Sequence, residues 1–184
     1  MNEGMLGFPR GYGLTPNQPA FDSVISVKFA DVTEVIIDNC FTPSYASYRL
    51  MVDFNAWSST TTIIYQFRSS NNTFALGNYE TQIASSSGGT VTGVTSQTTS
   101  ARIGSMYATP GVGSVALDII NPQRDARTTS FSQAVGVNGT TGVVWESTAT
   151  QMQVTTAMQG IRISSANGLA VFTGTARIYG YRLP

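Results

Sequence analysis

The 184-residue chain has no histidine and one cysteine. Without His, a Ser-His-Asp or Cys-His nucleophilic system has no base, and an imidazole-ligated metal site has no ligands. One Cys makes neither an internal disulfide nor a thiolate cluster, so Cys40 is expected to act as a small buried apolar residue. Charge is scarce as well. Ten Lys and Arg balance ten Asp and Glu, and Lys28 is the only lysine. Phosphate recognition needs a surplus of positive charge, and so does docking on an anionic membrane. Neither nucleic-acid binding nor membrane insertion is therefore expected. No apolar run approaches the roughly 20 residues of a spanning helix. The segment 1–10 has no continuous apolar core and ends in Pro9 and Arg10, so no secretory signal is expected.

Sustained helical periodicity is missing too. What the chain has instead is Thr, Val, Ile, Phe and Tyr in short alternating runs, with Ser, Asn and Gly between them. Thr and the β-branched and aromatic residues suit a pleated surface, and Ser suits turns. Tyr48–Trp57 is the cleanest run. Tyr48, Leu50, Val52, Phe54 and Ala56 share one face, and Arg49, Met51, Asp53, Asn55 and Trp57 share the other. Thr62–Arg68 repeats the pattern with Ile63, Tyr65 and Phe67 inward and Gln66 and Arg68 outward. The polar Thr60–Thr62 region between these runs predicts a hairpin.

Further strands are expected over 25–29, 34–38, 79–83, 91–98 (an edge), 102–107, 114–120, 128–137, 142–147, 160–164 and 174–182. Turns are expected at 31–33, 121–127, 165–168 and Asn138-Gly139, and loops at 41–44 and 85–89. The segment 149–159 fits either a strand or a helical turn. Ten to twelve such strands predict an all-β fold: one two-sheet antiparallel β-sandwich over 21–184, with a jelly roll as the expected topology.

Residues 1–20 differ. Four Gly and three Pro exclude a helix or an inner strand, yet Met5, Leu6, Phe8, Tyr12 and Leu14 are interspersed. Two readings are open, a floppy terminus and an extended N-terminal arm for contacts with another subunit, and the interspersed aromatics speak for the arm.

Four segments, in this order along the chain, carry a resemblance. They are Val24-Ile25-Ser26-Val27-Lys28-Phe29; Phe41-Thr42-Pro43-Ser44-Tyr45 running on to Leu50; Asp118-Ile119-Ile120-Asn121-Pro122 with Arg127-Thr128-Thr129-Ser130-Phe131; and Gly160-Ile161-Arg162-Ile163 with the closing run Phe172–Arg182. Together, from about Asp22 to Tyr181, they resemble the C-terminal β-sandwich domains of bacteriophage tail fibre and minor tail proteins. The resemblance implies a virion-located, non-enzymatic structural protein, a homotrimer that contacts the host surface. The long fibrous shaft of such fibres is not part of this sequence. A capsid or collar decoration protein is the alternative.

Chemistry-bearing residues are few. Asp53, Glu80, Asp118 and Glu146 are the carboxylates a glycosidase would draw on, and they read as ordinary solvated or paired acids. No catalytic residue is assigned. Asp31, Glu34 and Asp38 lack calcium-loop spacing, so no metal and no cofactor is expected. The candidate ligand-binding set is Trp57, Asp53, Asn55 and Arg49. Alternation puts them on one outer face, where an aromatic ring beside Asp and Asn offers stacking and directional hydrogen bonds to a glycan; burial of Trp57 against a loop or a neighbouring chain is the alternative. Trp145 is expected in the core, and Tyr179 and Tyr181 are expected to pack. The apolar content of that outer face also predicts a homo-oligomer.

Overall fold

Alternation after Ala20 becomes strand almost everywhere. The structure is a computed structural model that describes residues 21–69, 73–75, 79–87, 90–106, 113–138 and 142–182. Its strands are β1 (Phe21–Val32), β2 (Glu34–Ile37), β3 (Tyr45–Trp57), β4 (Thr61–Ser69), β5 (Tyr79–Ser87) and β6 (Thr90–Thr98). They continue with β7 (Ala101–Met106), β8 (Gly113–Ile120), β9 (Thr129–Asn138), β10 (Gly142–Met152), β11 (Met158–Ser165) and β12 (Phe172–Arg182).

They form an eight-stranded sheet, ordered β1-β12-β3-β8-β9-β10-β5-β6, and a four-stranded sheet, ordered β2-β11-β4-β7. Neighbours are antiparallel throughout, and the fold is an all-β sandwich. The closing strand β12 is internal, hydrogen-bonded to β1 on one side and β3 on the other. β6 is an edge, as expected for the Thr- and Val-rich 91–98 run. The arm over 1–20 lies outside the described residues, and so does Gly139 of the Asn138-Gly139 turn, β9 ending at Asn138.

The core forms where inner faces meet. Tyr48, Leu50, Val52, Phe54, Val115, Leu117, Ile119 and Ile178 from the large sheet join Ile63, Tyr65, Phe67, Ile103, Ile161 and Ile163 from the small one. Each fully buried aliphatic or aromatic side chain is worth roughly 1.5–3 kcal/mol. Phe29, Phe54 and Phe172 add an edge-to-face cluster with centroids 5.5–6.2 Å apart, a geometry that favours the ring quadrupoles. Cys40 is buried, as expected, and burial pushes its thiol up to about 12.

Toward β9 and β10 the interior turns polar. Ser130, Ser132, Glu146, Thr148 and Thr150 are all buried there. β7 lies too close for anything bulky: a Cβ added to Gly104 would collide with that of Ala134. Small hydroxyls fit the gap and satisfy themselves. Ser132 donates to the Ile103 carbonyl at 3.1 Å and Thr148 to that of Arg102 at 3.2 Å, while Thr81 and Thr150 bond at 3.1 Å and Tyr65 bonds Ser130. A buried hydroxyl without such a partner would be destabilising.

Three expectations are corrected. β3 and β4 form no hairpin, because they belong to opposite sheets. The link between them is stapled to the start of β12, Ser58 N–H to the Val171 carbonyl at 2.9 Å and Val171 N–H to Ser58 Oγ at 3.0 Å. Two strands with one apolar face each can bury it by facing one another, and these do. The expected 85–89 loop is strand up to Ser87, since β6 and β10 supply ladder partners on both sides of residues with little strand propensity. The expected 31–33 turn is only partly right: Asp31 and Val32 belong to a bulge at the end of β1, with Asp31 at φ 51° and its N–H donating to Thr173 Oγ1 at 3.0 Å, and the chain bends at Thr33 into β2.

Gln66 and Arg68 do face outward from the small sheet, yet both are buried. Arg68 pairs with Asp38 at 2.7 Å and lies against the Phe74 ring, which Arg162 also covers at 4.1 Å.

Candidate functional site: the outer face of the large sheet

Register builds this face in rows. One row runs Ser23, Tyr179, Arg49, Asp118, Phe131, Ala149, Gln82 across seven strands. The row beside it includes Arg177, Met51, Ala116, Gln133, Ser147 and Ala84. Arg49 and Asp53 therefore point to this face, as predicted. Neither is unpaired. Arg49 meets Asp118 in a bidentate bridge, Nε–Oδ1 2.7 Å and Nη2–Oδ2 2.6 Å, and Arg177 Nη1 donates to Asp53 Oδ2 at 2.5 Å. The hydrogen bond to Asp118 raises the Arg49 guanidinium pKa further.

Trp57 does not join them. It is 8 % exposed and belongs to the core. Thr173 pairs with Ala56 and Gly174 with Phe54, so Asn55 is an extra residue in β3. A bulge of this kind resets the alternation. Ala56 turns outward and Trp57 inward, and Asn55 stays exposed at the bend. Gly174 permits it: any Cβ there would strike the Asp53 carbonyl oxygen. The predicted quartet is thus reduced to Arg49, Asp53 and Asn55, and the aromatic member is lost.

Other aromatics take its place. Trp145, expected in the core, lies on the outer face and is 38 % exposed. Phe21, Tyr179 and Tyr181, with Arg49 and Met51, line a concavity of about 170 Å³ over β1, β12 and β3. Phe21 stands edge-on to Tyr179 at 5.3 Å and to Tyr181 at 6.3 Å. The Tyr181 hydroxyl reaches Asp118 Oδ1 at 3.4 Å. Partial burial, then the nearby Asp118 charge, raises the Tyr181 pKa and keeps it a donor.

The β9–β10 hairpin is inverted relative to the usual pattern. Ser130, Ser132, Glu146, Thr148 and Thr150 face in with Ala134 and Val144, while Phe131, Val135, Val143 and Trp145 face out. Sequence reasoning missed this because it assigns the apolar side of an alternating strand to the core. The usable signal was Ser130, Ser132, Thr148 and Thr150 all on the other side.

Among the described residues no group of three or more His, Cys, Asp or Glu is gathered for a metal ion. Comparison with known proteins finds no matching family, curated protein or solved structure.

Proposed function

We propose that this chain is a bacteriophage virion structural protein, a tail fibre tip or minor tail protein that contributes to attachment at the host surface, built on a sandwich of jelly-roll type and working as a homotrimer. The observation that carries the assembly half of this reading is the inverted hairpin. Phe131, Val135, Val143 and Trp145 are 49, 42, 66 and 38 % exposed in the single chain and lie together on one sheet face. Grouped apolar surface of this kind is hidden in obligate assemblies. A second copy of the chain is the occupant, because the patch is uncharged and offers a like surface nothing to repel. The attachment half draws on the resemblance and on the polar-aromatic half of the same sheet around Arg49 and Asp53. Several weak sites on one rigid tip would combine by avidity.

A decoration protein on the capsid or collar is the second reading, favoured by the same hairpin if the polar-aromatic half has no ligand. Antibody labelling of particles produced from the genome that carries this sequence tests both. Label at the tail tip is expected; label on the head or collar selects decoration, and unlabelled particles overturn both.

A further inference from the structure

Resting on the attachment reading for its biological source, we infer that the concavity between Phe21, Tyr179, Tyr181, Met51 and Arg49 is a binding site for a single neutral hexopyranose ring. The site is separate from the predicted Trp57 set, which the bulge at Asn55 dismantles.

Size comes first. At about 170 Å³ the cavity is below the roughly 300–1,000 Å³ of pockets for drug-sized ligands, so it takes one ring. Charge comes second. Arg49 is the cationic lining residue, and its charge is cancelled by the bidentate contact with Asp118. The paired charges offer no net attraction to an anionic or cationic ligand, and a neutral one needs none.

The arrangement of polar and apolar atoms comes third. Phe21 and Tyr179 form two walls at 82° to each other, which suits the apolar C–H face of a pyranose. The other side carries the guanidinium and the Tyr181 hydroxyl, with the Asp118 carboxylate beside the cavity as the partner of both. The bidentate bridge uses two of the five guanidinium N–H donors, and a carboxylate has about four acceptor positions. A ring edged with hydroxyls both donates and accepts there. An apolar side chain, such as those of residues 1–20, would instead desolvate these groups without replacing their hydrogen bonds.

The walls are also preset. Phe21 pairs with Tyr181, Tyr179 with Arg49 and Arg177 with Met51 across three hydrogen-bonded strands, so little ordering accompanies binding.

Saturation-transfer NMR on the full chain tests this, with the methyl glycosides of glucose, galactose, mannose and N-acetylglucosamine as separate probes. At least one should receive saturation on its axial C–H face, with an affinity near about 1 mM. Tyr179→Ala should weaken it about tenfold. Tyr181→Phe, which removes only a hydroxyl and keeps the ring, should give a smaller loss. Gln133→Ala, on the same sheet face but outside the cavity, should change nothing. No transfer to any of the four, equal transfer in the Tyr179→Ala and Tyr181→Phe proteins, or transfer that requires removal of residues 1–20 would each overturn the site, the last by assigning the cavity to the arm. A protein that labels the tail tip but binds none of the four keeps the attachment reading and loses this one. Binding lost on Tyr179→Ala in a protein that never labels virions does the reverse.

Discussion

Asn55 and Trp57 are coupled by the bulge in β3: the first has no single ladder partner, and the second is buried because of it. Removing residue 55 should therefore move residue 57. In a Trp145→Phe background, where Trp57 reports alone, deletion of Asn55 should shift tryptophan emission to the red and lower stability by about 3 kcal/mol. Asn55→Ala, which keeps the residue count, should leave the emission in place. An unshifted spectrum after the deletion would contradict the role given to the bulge.

Arg102 and Glu146 form an ion pair of unequal partners. The Glu146 side chain is 3 % exposed, that of Arg102 31 %. Arg102→Met strands a buried carboxylate and should cost about 3 kcal/mol. Glu146→Gln leaves a guanidinium that can reach water and keeps an amide oxygen as acceptor, so about 1 kcal/mol is expected. Urea midpoints measure both, and equal losses would refute the asymmetry.

Alkaline pH should unfold the protein through its buried acids. Burial pushes Tyr65 from 10.0 up to about 12 and Cys40 from 9.0 up to about 12, and it raises Tyr79 as well. In each the folded state holds the proton more tightly than the unfolded chain does. The contribution of Cys40 and Tyr65 is thus complete below pH 9, falls as pH rises between 9 and 12, and is gone above, while that of Tyr79 is lost only at still higher pH. Urea midpoints should be flat below that window with respect to these groups and decline through it. Tyrosinate absorbance from Tyr65 should appear together with loss of β-sheet circular dichroism, and Tyr65→Phe should make the decline shallower. A midpoint that holds steady to pH 12 would be inconsistent with these shifts.

The outward apolar side of β9–β10 predicts self-association. Sedimentation velocity at micromolar concentration should give a species larger than the monomer. Val143→Arg, at the most exposed of the four positions, should shift it toward monomer without lowering the urea midpoint by more than about 0.5 kcal/mol equivalent. A wild-type monomer at that concentration would remove the support the hairpin lends to assembly.

Strands such as β3, β4, β8 and β12 were legible because each has one clearly apolar side and one clearly polar side. Alternation gives the face of a residue only while every residue has a ladder partner, and so it failed past Asn55. It also assumes that the apolar side is the inner one, and so it misplaced Trp145, on a hairpin where β7 approaches β9 closely at Gly104 and Ala134 and the inner side is mostly polar. The hairpin expected between β3 and β4 came from a short polar link, which serves a crossing between sheets equally well. Of the candidate site, Arg49 and Asp53 were legible from phase alone. Their partners Asp118 and Arg177 were not, because pairing depends on strand order, which local pattern does not encode. The concavity needed Phe21 beside Tyr179 and Tyr181, a contact between the two ends of the sandwich sequence.

That same contact governs synthesis. With β12 seated between β1 and β3, a ribosome must finish residues 172–182 before either flanking strand has its neighbour on that side. Every shorter nascent chain carries two open hydrogen-bonding borders at the heart of its larger layer, available to whatever polypeptide lies nearby. Prematurely terminated products should collect as insoluble material, and a peptide spanning 172–182 added in trans has a ready-made slot to fill.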